Sequence, residues 1–414
     1  MIGSSKLHPA APDPAKLRAW YAHRQGLDGS LIGKSSAAVF ERAGWARSVG
    51  GVSPYLTLFS RAGISREQAD EDAAKLQIYE LPSARGCTYV LPASDFALGL
   101  AAGEGFNGDI KTAMKLGVTE KEVAKLCESV IAALDKGPLD PDELRAASGQ
   151  AVRNLGPEGK KKGLTTTLPL ALGKLQASGD IRRVPINGRF DQQRYRYALW
   201  NPNPLLGFKL SPQQVHVELA RRYFAWIGLA SAADFQWFSG LGVKTAQAAM
   251  APLKLEPIEL NPCDQRFFLP ADRAKFEAFK PSRDPYYSLL GGIDSLFLLR
   301  RDLPGVLDPQ DPERKVSVGS GMKNLGGLSD LPSHAIADRG RLVGLWEYDP
   351  ATESIVWASF VKKDQSLKEA VTRTEDFVRD QLGDARSFSL DSPKSRAPRI
   401  EALKLPNEPN AVGH

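Results

Sequence analysis

The sequence has 414 residues, 42% of them apolar and 25% charged, the balance of a globular protein with sizeable cores, and at roughly 100–200 residues per domain it holds two to four modules. No stretch reaches the about 18 apolar residues of a membrane span, and the polar, proline-rich start lacks the apolar centre of a signal peptide. Three scattered cysteines, Cys87, Cys127 and Cys263, exclude a disulfide framework or a cysteine zinc cluster, and the net charge of +6 points weakly to an acidic partner.

The first predicted unit spans residues 14–115. Helices are expected around 14–25, over Ser36 to Ala43, over PYLTLFSRAG and over Ser65 to Leu76, and IYELPSARGCTYVLP reads as a hairpin turning at Pro-Ser-Ala-Arg-Gly. Helices followed by a hairpin suggest a winged-helix variant. Between the second and third helices, Trp45, Arg47, Ser48, Gly50-Gly51, Ser53 and Tyr55 have the guanidinium, hydroxyl and backbone N–H groups that grip phosphate. The competing structural account places Trp45 in the core and makes Gly50-Gly51 a flexible loop.

The second unit, 118–205, has the clearest pattern. Thr119 caps a helix with Val123, Leu126, Val130, Ile131 and Leu134 at helical spacing, Asp140 caps a shorter one, and a third runs from near Thr165 to Gly179 after the loop NLGPEGKKKG. Two strands, Ile181 to Pro185 and Tyr195 to Trp200, follow with Asn187-Gly188 as a turn. This is the winged-helix order, in which a third helix enters the major groove of double-stranded DNA and the hairpin touches its backbone. Between Lys160 and Arg196 lie nine basic residues and two acidic ones, more positive charge than the net excess of the whole chain. Lys160, Lys161, Lys162, Arg182, Arg183, Arg189, Arg194 and Arg196 are therefore the predicted DNA-binding residues; the alternative is a solvated basic face.

A third unit is predicted over 210–284, where Tyr223, Trp226, Phe235 and Phe238 fall at helical spacings that suit a core better than a base-stacking platform. Over 285–390 strand-like pieces such as SLFLLRR, HAIADRGRLVGLWEYD and SIVWASFV alternate with turns, and a last helix is expected over Ser366 to Leu382. Residues 391–414 lack apolar periodicity and read as a mobile tail. The expected fold class is thus α+β, with tandem winged-helix units followed by a β-rich, barrel-like C-terminal domain. Gly103–Gly108 matches GxGxxG without a βαβ unit, Gly33-Lys34-Ser35 lacks the first glycine of a phosphate loop, and the five histidines are scattered, so neither a cofactor nor a metal site is predicted.

RQGL at 24–27, AGWARS at 43–48, YLTLFSRAG at 55–63, ARGCTYVLPASD at 84–95, LLGGIDSLFLLRRD at 289–302 and HAIADRGRLVGLWEY at 334–348 together resemble the winged-helix crosslink-repair DNA glycosylase superfamily over nearly the whole chain. The resemblance implies three winged-helix units closed by a barrel-like domain and action on alkylated or crosslinked DNA. Family members carry two polar residues, usually glutamines one residue apart, that position a water for attack on the sugar. In this sequence Arg47 and Val49 occupy the matching positions. Valine cannot orient a water and arginine has donors but no acceptor, which leaves Arg47 and Ser48 as the candidate catalytic region, with Gln25 as a possible recruit. Three functions stay open: a cytoplasmic DNA glycosylase, a non-catalytic or regulatory DNA-binding protein of the same fold, and a protein-interaction scaffold.

Overall fold

Capping residues already visible in the sequence set most helix starts. The computed structural model describes residues 12–106, 108–261, 264–319 and 321–405; the first eleven residues, Cys263, Asn107 of the glycine motif and the tail beyond residue 405 lie outside them. In the first unit Asp13, Ser35 and Ser65 cap α1 (Pro14–Arg24), α2 (Ser36–Ala43) and, after β1 (Ala46–Arg47) and α3 (Ser53–Ala62), α4 (Arg66–Ala74). Strands β2 (Ile78–Pro82) and β3 (Thr88–Pro92) follow, and β3 sits between β1 and β2 in an antiparallel sheet. Helices α5 (Phe96–Gly103) and α6 (Gly108–Met114) lead to the second unit.

There Thr119 caps α7 (Glu120–Leu134), and Asp140 with Glu143 forms a capping box on α8 (Pro141–Ser148). The stretch read as a lysine loop contains a short helix, α9 (Gly156–Lys161), before α10 (Leu168–Ala177) and the hairpin β4 (Ile181–Pro185) and β5 (Tyr195–Leu199). The third unit has α11 (Pro212–Ile227), α12 (Ala232–Ser239), α13 (Val243–Met250), the hairpin β6 (Glu256–Asn261) and β7 (Asp264–Phe268), and α14 (Pro270–Ala278).

The C-terminal region differs from its sequence reading in three respects. First, the strand is β8 (Tyr287–Leu290), whereas SLFLLRR starts with a helical turn, α15 (Ser295–Leu298), because Asp294 accepts the Leu296 N–H as a helix cap. Second, among the described residues there is no closed barrel. A small hairpin, β9 (Lys315–Val318) and β10 (Gly321–Asn324), stands apart from an open antiparallel sheet of β11 (His334–Asp338), β12 (Arg341–Asp349) and β13 (Ser354–Ser359), whose order is β13-β12-β11-β8. Helix α16 (Gln365–Phe377), continued by a π turn over Val378–Leu382, packs on the β8 side.

Third, the expected tail forms α17 (Pro393–Lys404), which lies on β12 and β13. It escaped the periodicity reading because arginines, not an apolar stripe, hold it down. Arg396 is fully buried and pairs with Asp384 at 2.8 Å, and Arg399 pairs with Glu347 at 2.7 Å and Asp391 at 2.9 Å.

The cores are not divided unit by unit. One joins α1, the first sheet, α11–α13 and the C-terminal strands, and a second joins α2–α4 to β12, α16 and Phe190 of the second unit. Apart from Trp200, which joins the first core, the buried apolar residues from Ala113 to Tyr197 other than Phe190 keep a core of their own. Tyr223, Trp226, Phe235 and Phe238 are buried in the first core, as their spacing predicted.

Candidate functional site

Gly44 ends α2 with φ +88°, and a Cβ there would lie 3.1 Å from the Trp226 ring, so only glycine turns the chain so tightly into β1. The alternation of an extended chain then sends Trp45, Arg47 and Val49 to one side, where all three line a cavity of about 250 Å³. Trp45 serves the core as well: it packs 5.1 Å from Trp226 and donates its Nε1–H to Asp95 at 2.9 Å, a carboxylate that also takes Arg222 of α11 at 3.0 Å. Arg47 donates to the Thr88 carbonyl at 2.8 Å and lies 5.5 Å from the Tyr89 ring centre. Burial pushes the Tyr89 hydroxyl up to about 12.

The loop after β1 is clamped by the chain that follows α16. Ser389 donates to the Val49 carbonyl and Val52 to the Arg386 carbonyl, each at 3.0 Å, and a Cβ on Gly51 would sit 2.2 Å from the Ser387 carbonyl oxygen. Gly50-Gly51 is therefore a close-packed crossing, not a flexible loop.

Distant segments build the remaining walls. Arg85 comes from the β2–β3 turn, Trp237 and Phe238 from α12, Ser295 and Leu298 from α15, and Arg301 and Asp330 from the chain beyond it. The Arg85 and Arg301 guanidinium carbons lie 4.0 and 4.8 Å from the Trp237 ring centre, and Arg301 pairs with Asp330 at 2.6 Å. Both arginines hold positive φ, 57° and 49°, a conformation that costs a non-glycine residue about 1–3 kcal/mol and clusters at functional sites. Three guanidiniums against one carboxylate make the cavity an anion-favouring, aromatic-walled recess. None of these distant residues was read from the sequence as part of a site; Phe238 was placed in the core, and Arg85, Ser295, Leu298 and Arg301 entered only within the motifs that carry the family resemblance. The available signal was Trp237, which is half-exposed and falls off the buried stripe of Phe235 and Phe238.

Ser48 faces away from the cavity. Its hydroxyl donates at 2.5 Å to Glu80, a buried carboxylate on β2, and Gln25 is likewise committed to the Trp226 carbonyl at 3.0 Å. Burial raises the Glu80 carboxyl above its ordinary range, while the Ser48 hydrogen bond and the Arg183 and Arg47 charges oppose the shift. With the folded value above the unfolded one, the folded state binds the proton more tightly. The contribution of Glu80 to stability is then full at low pH and is lost as pH rises through the folded value. Glu80→Gln is accordingly expected to raise the urea midpoint more at pH 8 than at pH 5; a difference that does not vary with pH would show that the ionised carboxylate carries no such penalty.

The predicted DNA-binding residues separate into two groups. Lys160, Lys161 and Lys162 are exposed around the end of α9, with Lys161 paired to Glu158, and Arg194 and Arg196 are exposed on and beside β5. The other wing arginines are engaged within the protein. Arg182 donates to the Tyr79 hydroxyl at 2.8 Å, Arg183 lies 5.3 Å from the Tyr195 ring, and Arg189 pairs with Asp191 and donates to the Leu382 carbonyl at 3.0 Å. Arg183 also lines a concave face of about 490 Å³ with Asp109 of α6, Arg145 of α8, and Thr165, Thr166 and Gln176 of the α10 region. Gly86 reaches that face while its neighbour Arg85 lines the smaller cavity, so the β2–β3 turn separates the two. Sequence reading passed over Arg145 because it stands outside the basic run.

Among the described residues no group of three or more metal-ligating side chains is assembled, and no helix is long and apolar enough to cross a membrane. Guanidiniums and aromatic rings are the side chains that hold phosphates and stack on bases, and the concave face beyond the turn adds Arg145 and Arg183 against Asp109. A family model described as DNA glycosylase AlkZ-like matches residues 51–378, and the chain belongs to that family of DNA-repair glycosylases. The match begins two residues past Val49. The solved structure of the Streptomyces sahachiroi DNA glycosylase AlkZ aligns with a TM-score of 0.66 and 21% identity over 91% of this chain and 99% of that one, which shows a shared fold. No curated protein matches the sequence.

Proposed function

We propose that this protein is a DNA N-glycosylase that grips duplex DNA with winged-helix units and takes a damaged nucleotide into the Arg47 cavity. The observation that carries the reading is the direction of β1: the two positions that match the family's catalytic pair, 47 and 49, point into one recess walled by Trp237 and Tyr89. Enzymes that act on a base must extrude it from the stack, read it between aromatic walls and hold its flanking phosphates. Arg47, Arg85 and Arg301 suit the phosphates, and the rings suit the base. In this reading α10 is the groove-reading helix, and the concave face with Arg145 and Arg183 continues the DNA path from the cavity. Lys160 to Lys162, Arg194 and Arg196 grip the backbone beside it, alkylated or crosslinked DNA is the substrate class, and the site of action is the cytoplasm.

A second reading, a DNA reader without chemistry, is favoured by one specific feature. Neither Arg47 nor Val49 offers an acceptor to a water, and Ser48 and Gln25 are bonded elsewhere. Incubating the protein with duplexes that carry an alkylated purine or an interstrand crosslink, then treating with alkali, separates the two. Strand breaks that Arg47→Ala removes support the glycosylase, whereas tight binding without breaks supports the reader. For the grip itself, replacing Lys160, Lys161 and Lys162 together by alanine is expected to weaken binding to all sequences alike. The slope of log K against log salt should become shallower by about 0.9 for each phosphate that is no longer neutralised; an unchanged slope would place the interface elsewhere.

A further inference from the structure

We propose, resting on the glycosylase reading, that Asp330 is the general base that β1 no longer supplies and that Arg301 is its positioning residue. Among the described residues lining the Arg47 cavity, Asp330 is the one carboxylate. An acceptor is what the site lacks, and a carboxylate has acceptor positions where arginine and valine have none. Arg301 Nη2 holds Asp330 Oδ2 at 2.6 Å. The guanidinium is fixed in turn by the Trp237 ring at 4.8 Å and by a backbone held at φ +49°, with its N–H bonded to the Phe297 carbonyl at 3.0 Å. A strained backbone, a stacked guanidinium and a short ion pair thus converge to hold one carboxylate in place. Asp330 remains 61% exposed, at the mouth of the recess, where solvent water and an entering sugar meet.

In the step assigned to it, the water oxygen forms a bond to C1′ of the damaged nucleotide as the N-glycosidic bond breaks. The electron pair of that bond leaves with the base. The proton of the water passes to the Asp330 carboxylate and then to solvent, leaving an abasic sugar with a hydroxyl at C1′. The negative carboxylate also faces the positive charge that develops on the sugar.

The test is single-turnover base release from a duplex carrying one N7-methylguanine, measured across pH for the wild type, Asp330→Asn and Asp330→Glu, with duplex affinity measured in parallel. Positioned general bases contribute about 10²–10⁴-fold, so Asp330→Asn is expected to lose that much rate while binding duplex as the wild type does. Asp330→Glu should restore part of the rate. Release by Asp330→Asn at the wild-type rate would overturn the assignment and leave the glycosylase reading standing. Loss of duplex affinity together with rate in Asp330→Asn would also overturn it, making Asp330 a structural anchor for Arg301. No release by the wild type would overturn the glycosylase reading, and this assignment with it.

Discussion

An Arg61→Met variant is expected to lose about 3–5 kcal/mol of unfolding free energy, the cost of removing one partner from a buried ion pair. Arg61 on α3 and Asp294 ahead of α15 are 0% and 1% exposed at their side chains. The guanidinium donates to both carboxylate oxygens, at 2.9 and 2.7 Å, and to the Gln25 carbonyl at 2.8 Å. Methionine fills most of the volume but strands the Asp294 charge away from water. Asp294 also caps α15, which leads into Leu298 and Arg301, so the loss falls on a wall of the Arg47 cavity. Urea unfolding is the measurement. The double variant Arg61→Met/Asp294→Asn should recover part of the loss, because the uncompensated charge is then gone. A single variant within about 1 kcal/mol of the wild type would mean that water reaches the pair.

Phe190→Ala is expected to cost about 3–5 kcal/mol, as deletion of a buried aromatic ring does, and to release the β4–β5 hairpin from the first unit. Phe190 lies 5.8 Å from Tyr55 in the shared second core, and its backbone N–H donates to the Tyr55 hydroxyl at 2.9 Å. That hydroxyl donates at 2.5 Å to Asp70, so the side chain, the hydrogen bond and the carboxylate form one latch. Next to it, Arg386 donates to the Asp191 carbonyl at 2.5 Å, and Arg386 belongs to the segment that clamps the loop after β1. Limited trypsin digestion should therefore cut the variant at Arg189 or Arg194 well before the wild type. Equal cutting would show that the hairpin is held by Arg189 and Asp191 without the ring.

Where local chemistry decides, the sequence was readable. Thr119, Asp140 and the apolar spacing of α7 announced helices α7 and α8, and the ends of β4 and β5 fell close to their predicted places. The same hairpin shows where reading stops. Asn187-Gly188 looked like a tight turn, but the loop runs from 186 to 194 so that Phe190 can be buried. Arg182, Arg183 and Arg189 read as phosphate ligands, and charge alone did not reveal that Tyr79, Tyr195 and Asp191 contact them within the protein. Helix α17 was missed because its anchors are buried arginines. In the cavity, Arg47 was legible through resemblance, but Arg85, Trp237, Arg301 and Asp330 meet it only through the packing of elements far apart in the chain.

In the glycosylase reading the damaged base enters the recess lined by Trp45, Arg47 and Val49. Val49→Phe places a ring in that space, and its effect on base release from an alkylated duplex tests the claim most directly. Release by the wild type, with none by Val49→Phe at undiminished duplex affinity, is the predicted result. Release by Val49→Phe at the wild-type rate would contradict it and place the chemistry outside this cavity.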